Sequence, residues 1–180
     1  MKTAVSILSE KDIQRALGRI AHQVIEKNQG TQGLALIGIR TRGEHLARRL
    51  ASIIGGEDGG SPPLGILDIG LHRDDIDILK NRLVIRKTEI GFNINDMHLV
   101  IVDDVMFTGR TARAALDALM GLGRPRMVSL AVLVDRGHRE LPIRADFVGK
   151  NLPTSLEERV RVRLREVDGV DEVVLEREAG

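Results

Sequence analysis

Two adjacent carboxylates followed by a loop of hydroxyl and glycine residues form the most informative segment of this 180-residue chain. Asp103 and Asp104 end an apolar run, 99–102, and residues 108–111 read Thr-Gly-Arg-Thr at the start of a helical pattern. The first N–H groups of a helix bind phosphate, and nearby carboxylates hold hydroxyl groups or a metal ion. The segment therefore predicts a ribose-phosphate site, although a capped strand and helix without a ligand would show the same pattern.

A second loop occupies the same place between a strand and a helix, at residues 40–43, which read Arg-Thr-Arg-Gly. Ligands of open α/β sheets bind at the carboxyl ends of the strands, so this loop predicts a second anion pocket. A substrate with phosphate groups at both ends would use both loops. The alternative is an ordinary connection with two solvated arginines. Residues 72–75, His-Arg-Asp-Asp, predict a lid over a charged substrate, or else a solvated loop.

The charge-dense segment 135–151 follows another apolar run. Three interpretations stay open: it walls a small-molecule pocket with Val134 and Arg136, it presents cations outward, or it is an ordinary surface loop. The five histidines show no metal-ligand spacing and the chain has no cysteine, so we expect no metal bound directly by the protein and no disulfide.

Alternating apolar strands and amphipathic helices must position these loops. The pattern predicts strands at 34–39, 64–71, 99–103, 127–134 and 146–149, helices at 44–54 and 109–121, and two alternating segments, 160–164 and 173–175, around a turn at 168–169. Near-continuous apolar strands separated by helices indicate an α/β fold whose mostly parallel, twisted sheet is covered on both faces. We expect one domain over residues 1–180, with a flexible excursion at about 72–98.

The first helix carries two faces of different character. Ser9 and Asp12 predict a capping box at its start. Apolar residues recur at helical spacing on one face, namely Ile13, Leu17, Ile20 and Val24, and the opposite face carries Arg15, Arg19, His22 and Glu26. The polar face is either a solvated helix surface or a basic binding surface.

The composition predicts a globular cytoplasmic protein. Hydrophobic residues make up 42% and charged residues 29%, and the net charge of +1 excludes nucleic-acid binding by bulk charge alone. The absence of tryptophan and tyrosine argues against RNA recognition on an aromatic sheet surface. No apolar run approaches the roughly 18 residues of a membrane span, and we expect neither a signal peptide nor a membrane partner.

Residues 102–111, Val-Asp-Asp-Val-Met-Phe-Thr-Gly-Arg-Thr, resemble the phosphoribosyl-pyrophosphate (PRPP) signature of type I phosphoribosyltransferases. The segment 135–151 and the run Arg-Ile-Ala-His at 19–22 are similar to the PyrR family, pyrimidine operon attenuators that also act as uracil phosphoribosyltransferases. This resemblance covers essentially the whole chain. It implies the type I phosphoribosyltransferase fold, with a flexible lid, a small hood, and a base-binding block with C-terminal strands at about 135–180.

The resemblance also implies two activities. One converts uracil and PRPP into UMP and pyrophosphate, with Mg²⁺ held through PRPP and water. The other binds the leader mRNA of pyrimidine genes when UMP or UTP is bound, and thereby favours transcription termination. A homodimer or higher oligomer is implied as well. Two rival functions stay open: a uracil enzyme with little or no RNA-binding role, and a purine phosphoribosyltransferase, against which the segment 135–151 argues.

The residue roles implied by the resemblance are specific. Asp103 and Asp104 would hold the ribose hydroxyls, and Arg73 would lie on the catalytic lid. The other substrate contacts would be Thr41, Arg42 and Gly43 for pyrophosphate, Val105, Met106, Phe107, Thr108, Gly109, Arg110 and Thr111 around the 5′-phosphate, and Val134, Asp135 and Arg136 for uracil. The RNA contacts would be Arg19, His22, Arg139, Arg144 and Lys150.

Two positions depart from the family pattern, and one late segment has two interpretations. Gly18 stands where the family has a threonine, and residues 70–73 read Gly-Leu-His-Arg where the family has Thr-Leu-Tyr-Arg. The late segment alternates Arg159, Arg161, Arg163 and Arg165 with Val160, Val162 and Leu164. This alternation indicates an edge strand protected by charge rather than an extension of an RNA surface.

Overall fold

The computed structural model describes residues 2–58, 60–70 and 88–178. In chain order its elements are β1 (Lys2–Leu8), α1 (Glu10–Asn28), β2 (Leu34–Ile39), α2 (Arg42–Asp58), β3 (Leu64–Leu67), β4 (His98–Met106), α3 (Arg110–Met120), β5 (Met127–Asp135), β6 (Phe147–Asn151), β7 (Arg159–Arg163), α4 (Arg165–Asp168) and β8 (Glu172–Glu178). Residues 72–87 of the predicted excursion, which include Arg73, lie outside the described residues. Within the described residues, no helix has the length and apolar content that crossing a bilayer requires.

A five-stranded sheet with the order β3-β2-β4-β5-β6 forms the centre of the molecule, and all of its strands are parallel. The predicted α/β fold with a mostly parallel sheet is therefore confirmed. β2 and β4 are neighbours at the centre although the chain between them includes another strand. Their carboxyl ends consequently bring the loop at 40–43 and the carboxylates at 103–104 to one edge of the sheet.

Helices cover both faces of this sheet. The apolar face of α1 packs on it through Ile13, Leu17, Ile20 and Val24, whose exposed fractions are 3% or less, as the spacing predicts. The capping box is also confirmed, because the Ser9 amide donates to the Asp12 carboxylate and the Asp12 amide donates to the Ser9 hydroxyl. α1 and α2 share one hydrophobic cluster, and α3 belongs to the cluster on the other face.

A second, antiparallel sheet with the order β1-β8-β7 forms a hood beside the first. Its buried residues Leu8, Leu164 and Val173 belong to the same hydrophobic cluster as α1 and α2. β7 is an edge strand, as the alternating cations predict. Arg161 and Arg163 pair with acidic residues of β8 at nitrogen–oxygen distances of 2.9 and 2.8 Å, so these cations also tie the two strands together.

The observed strand ends differ from the predicted ones at two places near the cavity. β4 continues to Met106 rather than ending at 103, because its pairing with the long strand β5 extends to the pair Met106–Asp135. β3 ends at Leu67 rather than 71, because the Asp68 side chain accepts a hydrogen bond from the Gly70 amide and starts a turn. Asp103 and Asp104 therefore lie within a strand.

Candidate active site

A cavity of about 630 Å³ opens at the carboxyl edge of the parallel sheet. The end of β2, the end of β4 and the start of α3 form most of its wall, and the segment after β5 and the hood complete it. The lining residues are Ile39, Arg40, Thr41, Arg42, the continuous run 103–112, Leu130, Val132, Arg136, Glu140 and Val160. Both predicted anion loops therefore face one space.

Gly43 brings the two loops together. A Cβ atom on this residue would lie 2.3 Å from the Val102 carbonyl oxygen and 3.2 Å from the Asp103 Cα. Only a residue without a side chain permits this approach of α2 to β4. Gly38 of β2 permits a similarly close approach of α2 to its own preceding strand, since a Cβ there would lie 2.6 Å from the Glu44 Cα. The glycines thus set the separation between the 40–43 loop and the carboxylates.

The two carboxylates are half-buried and oriented by their own strand. Asp103 Oδ1 accepts a hydrogen bond of 2.9 Å from the Asp104 amide, and Asp104 Oδ1 accepts one of 2.8 Å from the Val105 amide. The described residues contain no cluster of three or more potential metal ligands. A pair of carboxylates nevertheless suits Mg²⁺ that retains water and binds mainly through substrate phosphates.

The start of α3 is built to receive an anion. Gly109 is the residue that precedes the helix, with φ of 96° in the left-handed region that favours glycine, and it has no side chain to accept hydrogen bonds from the first turn. The Thr108 hydroxyl accepts a 3.3 Å hydrogen bond from the Arg110 amide. The other N–H groups of the first turn lack partners within the helix, and they lie at the cavity wall.

The segment after β5 braces this loop from behind. Three successive carbonyl oxygens of residues 106–108 accept hydrogen bonds from residues 136–141. The bonds run from the Arg136 amide to Met106 at 3.1 Å, from Arg139 Nη1 to Phe107 at 2.7 Å, and from the Glu140 amide to Thr108 at 2.9 Å. The sequence did not predict this bracing, because it depends on contacts between residues about thirty positions apart.

The cations of the 40–43 loop are held by carboxylates from elsewhere in the fold. Arg42 forms an ion pair with Asp168 of α4 at 2.8 Å. Arg40, which received no individual role from the sequence, also lines the cavity. Its buried Nε has no hydrogen-bond partner among the described residues but lies 3.8 Å from the Glu44 carboxylate, and its Nη2 lies 3.4 Å from Glu89. Its position directly after an apolar strand was the feature of the sequence from which a place at the cavity could have been predicted.

Of the three residues predicted for uracil, Arg136 alone is part of the described cavity wall. Its guanidinium lies 4.1 Å from the centre of the Phe107 ring and donates to the Ser155 carbonyl at 2.8 Å. Burial lowers the pKa of Arg136, and the charge of Glu158 offsets part of that shift. Val134 is fully buried in the core.

The third, Asp135, bonds to Arg139, which is one of the predicted RNA contacts. Arg139 is partly buried, and its guanidinium also donates to the Phe107 and Ile143 carbonyls. These bonds favour a scaffolding role for Arg139. Arg144 is exposed on the same segment.

The remaining predicted RNA contacts meet where α1 packs on β6. Arg19 and His22 are exposed on α1, and the Arg19 guanidinium donates to the Gly149 carbonyl, next to Lys150. A Cβ on Gly149 would lie 2.4 Å from the Leu133 carbonyl oxygen, so glycine permits this packing. The structure thus joins Arg19, His22 and Lys150 in one surface, whereas Arg139 contacts the loop at 106–108.

Comparison with known proteins finds similar sequences over nearly the whole chain. A model of the phosphoribosyl transferase domain family matches residues 4–160. A bifunctional protein PyrR of Chloroflexus aurantiacus is 59% identical over 169 residues, which cover 94% of this chain and 93% of that protein. The bifunctional protein PyrR of Thermus thermophilus is 56% identical over 175 residues, covering 97% of each chain.

Solved structures are similar in fold. Hypoxanthine phosphoribosyltransferase of Trypanosoma cruzi, in complex with the product IMP, superposes with a TM-score of 0.72 at 16% identity, covering 96% of this chain and 89% of that one. A hypoxanthine phosphoribosyltransferase of Staphylococcus aureus gives a TM-score of 0.70 at 20% identity, with 94% and 89% covered. At these identities the likeness concerns the arrangement of the elements.

Proposed function

Because the chain belongs to the phosphoribosyltransferases and, among them, to the bifunctional PyrR proteins, we propose that its residues divide two functions between them. The protein is a uracil phosphoribosyltransferase, which forms UMP and pyrophosphate from uracil and PRPP, and it regulates pyrimidine biosynthetic genes. The observation that carries the residue assignment is that the loops at 40–43 and 103–111 face one cavity.

PRPP spans this cavity from one anion loop to the other. Its 5′-phosphate binds the N–H groups at the start of α3, where the helix dipole adds positive potential. Its pyrophosphate binds Thr41 and Arg42, and its ribose hydroxyls donate to Asp103 and Asp104. The Gly43 contact supports this assignment, because it fixes the separation between the segment proposed for pyrophosphate and the carboxylates proposed for ribose.

The reaction needs charge stabilisation rather than a covalent nucleophile. Breaking the bond between C1 of ribose and pyrophosphate leaves a positive, oxocarbenium-like sugar and a strongly negative leaving group. Asp103 and Asp104 stabilise the developing positive charge, and Arg42 stabilises the departing pyrophosphate. Mg²⁺ bound with PRPP supplies further charge neutralisation, and Asp103 and Asp104 are the residues that would hold its water shell.

The uracil ring occupies the side of the cavity formed by Phe107, Arg136 and Val160. These residues combine an aromatic ring, a cation and an apolar side chain from the hood. A product assay with uracil or hypoxanthine as the base tests this assignment. We expect UMP from uracil and no more than trace IMP from hypoxanthine, and efficient IMP formation would favour the purine alternative.

Asp104→Asn tests the carboxylate assignment. The substitution keeps the shape of the side chain but removes its charge. We expect kcat to fall by about a hundredfold or more, as for the loss of one preorganised electrostatic contact, while the melting temperature changes little. Near-normal kcat in a folded variant would contradict the role of Asp104.

The regulatory function uses the surface where α1 meets β6, together with the exposed Arg144 on the segment before β6. Arg19, His22, Arg144 and Lys150 present cationic and hydrogen-bonding groups to the leader mRNA, and bound UMP or UTP promotes that contact. The exposure of Arg19, His22 and Arg144 supports this proposal. A protein that served catalysis alone has no evident need for a basic stripe outside the cavity wall.

Titration of a pyrimidine-operon leader RNA, with and without UMP, tests both parts of this proposal. We expect UMP to tighten binding, and each phosphate contact to add about −0.7 to the slope of log K against log salt. Arg19→Gln should weaken binding and make the slope shallower, whereas Arg159→Gln on the hood edge serves as the control. RNA binding that is absent or independent of salt would favour the enzyme-only alternative.

We also propose that the protein acts in the cytoplasm as a homodimer or higher oligomer. Repetition of α1 in a second copy would enlarge the basic surface available to RNA. Light scattering after size-exclusion chromatography measures the mass directly. The chain mass is 19.8 kDa, and that mass at micromolar concentration would contradict the oligomer.

A further inference from the structure

A carboxylate of the hood holds one edge of the Arg42 guanidinium. Asp168 lies at the end of α4, between β7 and β8, and is 126 residues from Arg42 in the chain. Arg42 Nη2 donates to Asp168 Oδ1 at 2.8 Å and to Oδ2 at 3.1 Å, and Nε donates to Oδ2 at 3.3 Å. Arg42 also lines the cavity, so this ion pair links the hood directly to the predicted pyrophosphate site.

The Asp168 carboxylate is itself fixed to the core. Its Oδ2 accepts a 2.9 Å hydrogen bond from the Leu164 amide, and the Asp168 amide donates back to the Leu164 carbonyl. Leu164 is fully buried in the cluster beneath α1 and α2. Gly169 follows with φ of 76°, which reverses the chain directly after the carboxylate. Asp168 is therefore a rigid acceptor.

The geometry of the guanidinium leaves room for a second anion. Arginine carries five N–H donors in a planar fork, and each edge of the fork can donate two hydrogen bonds to one oxyanion. Asp168 occupies the edge formed by Nε and Nη2. None of the described residues accepts a hydrogen bond from Nη1, so the edge that includes Nη1 can donate to a phosphate oxygen. Pyrophosphate can consequently bind Arg42 without displacing Asp168.

The surroundings of Asp168 keep its carboxylate charged while Arg42 binds pyrophosphate. Burial by itself would raise the pKa of Asp168, but the hydrogen bond from the Leu164 amide and the guanidinium of Arg42 outweigh it, so the pKa is lowered. The carboxylate is consequently ionised at neutral pH. It therefore retains its hold on Arg42 under the conditions in which the enzyme works.

We propose that Asp168 is a positioning residue for pyrophosphate binding, because it fixes Arg42 by one edge and turns the other edge toward the leaving group. This inference rests on the proposed phosphoribosyltransferase function. Its benefit is the immobilisation of a long side chain before the substrate arrives. A carboxylate that merely competed with pyrophosphate for Arg42 would have the opposite effect on PRPP affinity.

Asp168→Asn tests this proposal in steady-state kinetics. We expect the KM for PRPP to rise roughly three- to tenfold, the range that the freedom of one flexible side chain accounts for, while the KM for uracil stays constant. Titration with inorganic pyrophosphate should show the same loss of affinity without turnover. Melting temperatures of both proteins verify that the variant is folded.

Glu166→Gln is the matched control. Glu166 lies on the same short helix and bonds Arg49 of α2 at 2.9 and 2.6 Å, so it joins the same two elements. Arg49 is outside the described wall of the cavity. The control should lose a similar hood contact yet keep the KM for PRPP of the wild type.

The outcomes separate this inference from the proposed function. Wild-type protein that forms no UMP would contradict the function. Pyrophosphate affinity that is unchanged or tighter in Asp168→Asn would overturn the inference alone. In an Arg42→Ala background, Asp168→Asn should have no further effect on pyrophosphate binding. An equal loss of affinity in that background would show that Asp168 acts independently of Arg42 and would also overturn the inference.

Discussion

Gly43→Ala should impair catalysis by pushing apart the two halves of the PRPP site. The added Cβ would lie 2.3 Å from the Val102 carbonyl oxygen, whereas real Cβ atoms essentially never approach closer than 3.0 Å. The opposing atom is backbone in a central strand and cannot rotate away. α2 and the 40–43 loop must therefore shift by most of an ångström relative to Asp103.

The size of the effect follows from this displacement. A misplacement of about 1 Å in a preorganised site can cost about a hundredfold in rate, so we expect kcat/KM for PRPP to fall by about ten- to a hundredfold. Overpacking should also lower the free energy of unfolding by about 1–3 kcal/mol. UMP formation at varied PRPP gives the first quantity, and urea denaturation gives the second.

Gly56→Ala provides the matched control within the same helix. No atom lies within 4 Å of the position that its Cβ would occupy, and the residue is exposed. The substitution should leave kcat/KM unchanged and stabilise the protein by about 0.5–1 kcal/mol through the higher helix propensity of alanine. Wild-type kcat/KM in Gly43→Ala would refute the argument that this contact sets the distance between the loops.

Three further perturbations test other parts of the structure. Burial lowers the pKa of His98 from 6.5, so the unfolded chain gains a proton first as pH falls, and the free energy of unfolding should drop from about pH 7 toward 5. His98→Gln should flatten that drop in urea titrations, and an unchanged slope would contradict it. Arg49→Leu leaves the carboxylate of Asp171, whose side chain is 6% exposed, without its guanidinium, and should cost about 2–4 kcal/mol in the same measurement. Arg139→Gln should lower kcat/KM for UMP formation because it loosens the loop at 106–108, whereas Arg144→Gln should lower the affinity measured by RNA titration and leave kcat/KM unchanged.

Much of the parallel sheet could be predicted because its buried strands consist of nearly continuous apolar residues. β2 is buried at all six positions, and such strands leave unbroken apolar runs that are easily recognised. The start of α3 close to Gly109 was recognisable for a related reason, since hydroxyl groups and glycine are favoured where helices begin. Residue types and their spacing were sufficient to predict those elements that depend mainly on neighbouring residues in the chain.

The hood shows where local reasoning fails. β1 (Lys2–Leu8) was not predicted, because its pairing partner β8 lies at the other end of the chain and supplies most of its stabilisation. Asp168 was predicted only as part of a turn. Its contact with Arg42 spans 126 residues, and nothing in the sequence around either residue identifies the other as its partner. Pairing of this kind becomes visible only when the tertiary fold is known.

The segment 135–151 illustrates why charge density alone is an ambiguous signal. Its charges suggested a base pocket or an outward basic surface, but Arg139 bonds Asp135 and the Phe107 carbonyl, and Glu140 bonds Arg110 of α3. These bonds hold the loop at 106–110 in shape. Arg139 and Asp135 are partly buried, so each needs the other as a partner, whereas Glu140 and Arg110 pair at the surface. The same segment then continues to the exposed Arg144. One stretch of chain thus braces the loop at 106–108, proposed here to bind the nucleotide phosphate, and also carries Arg144 of the surface proposed for RNA.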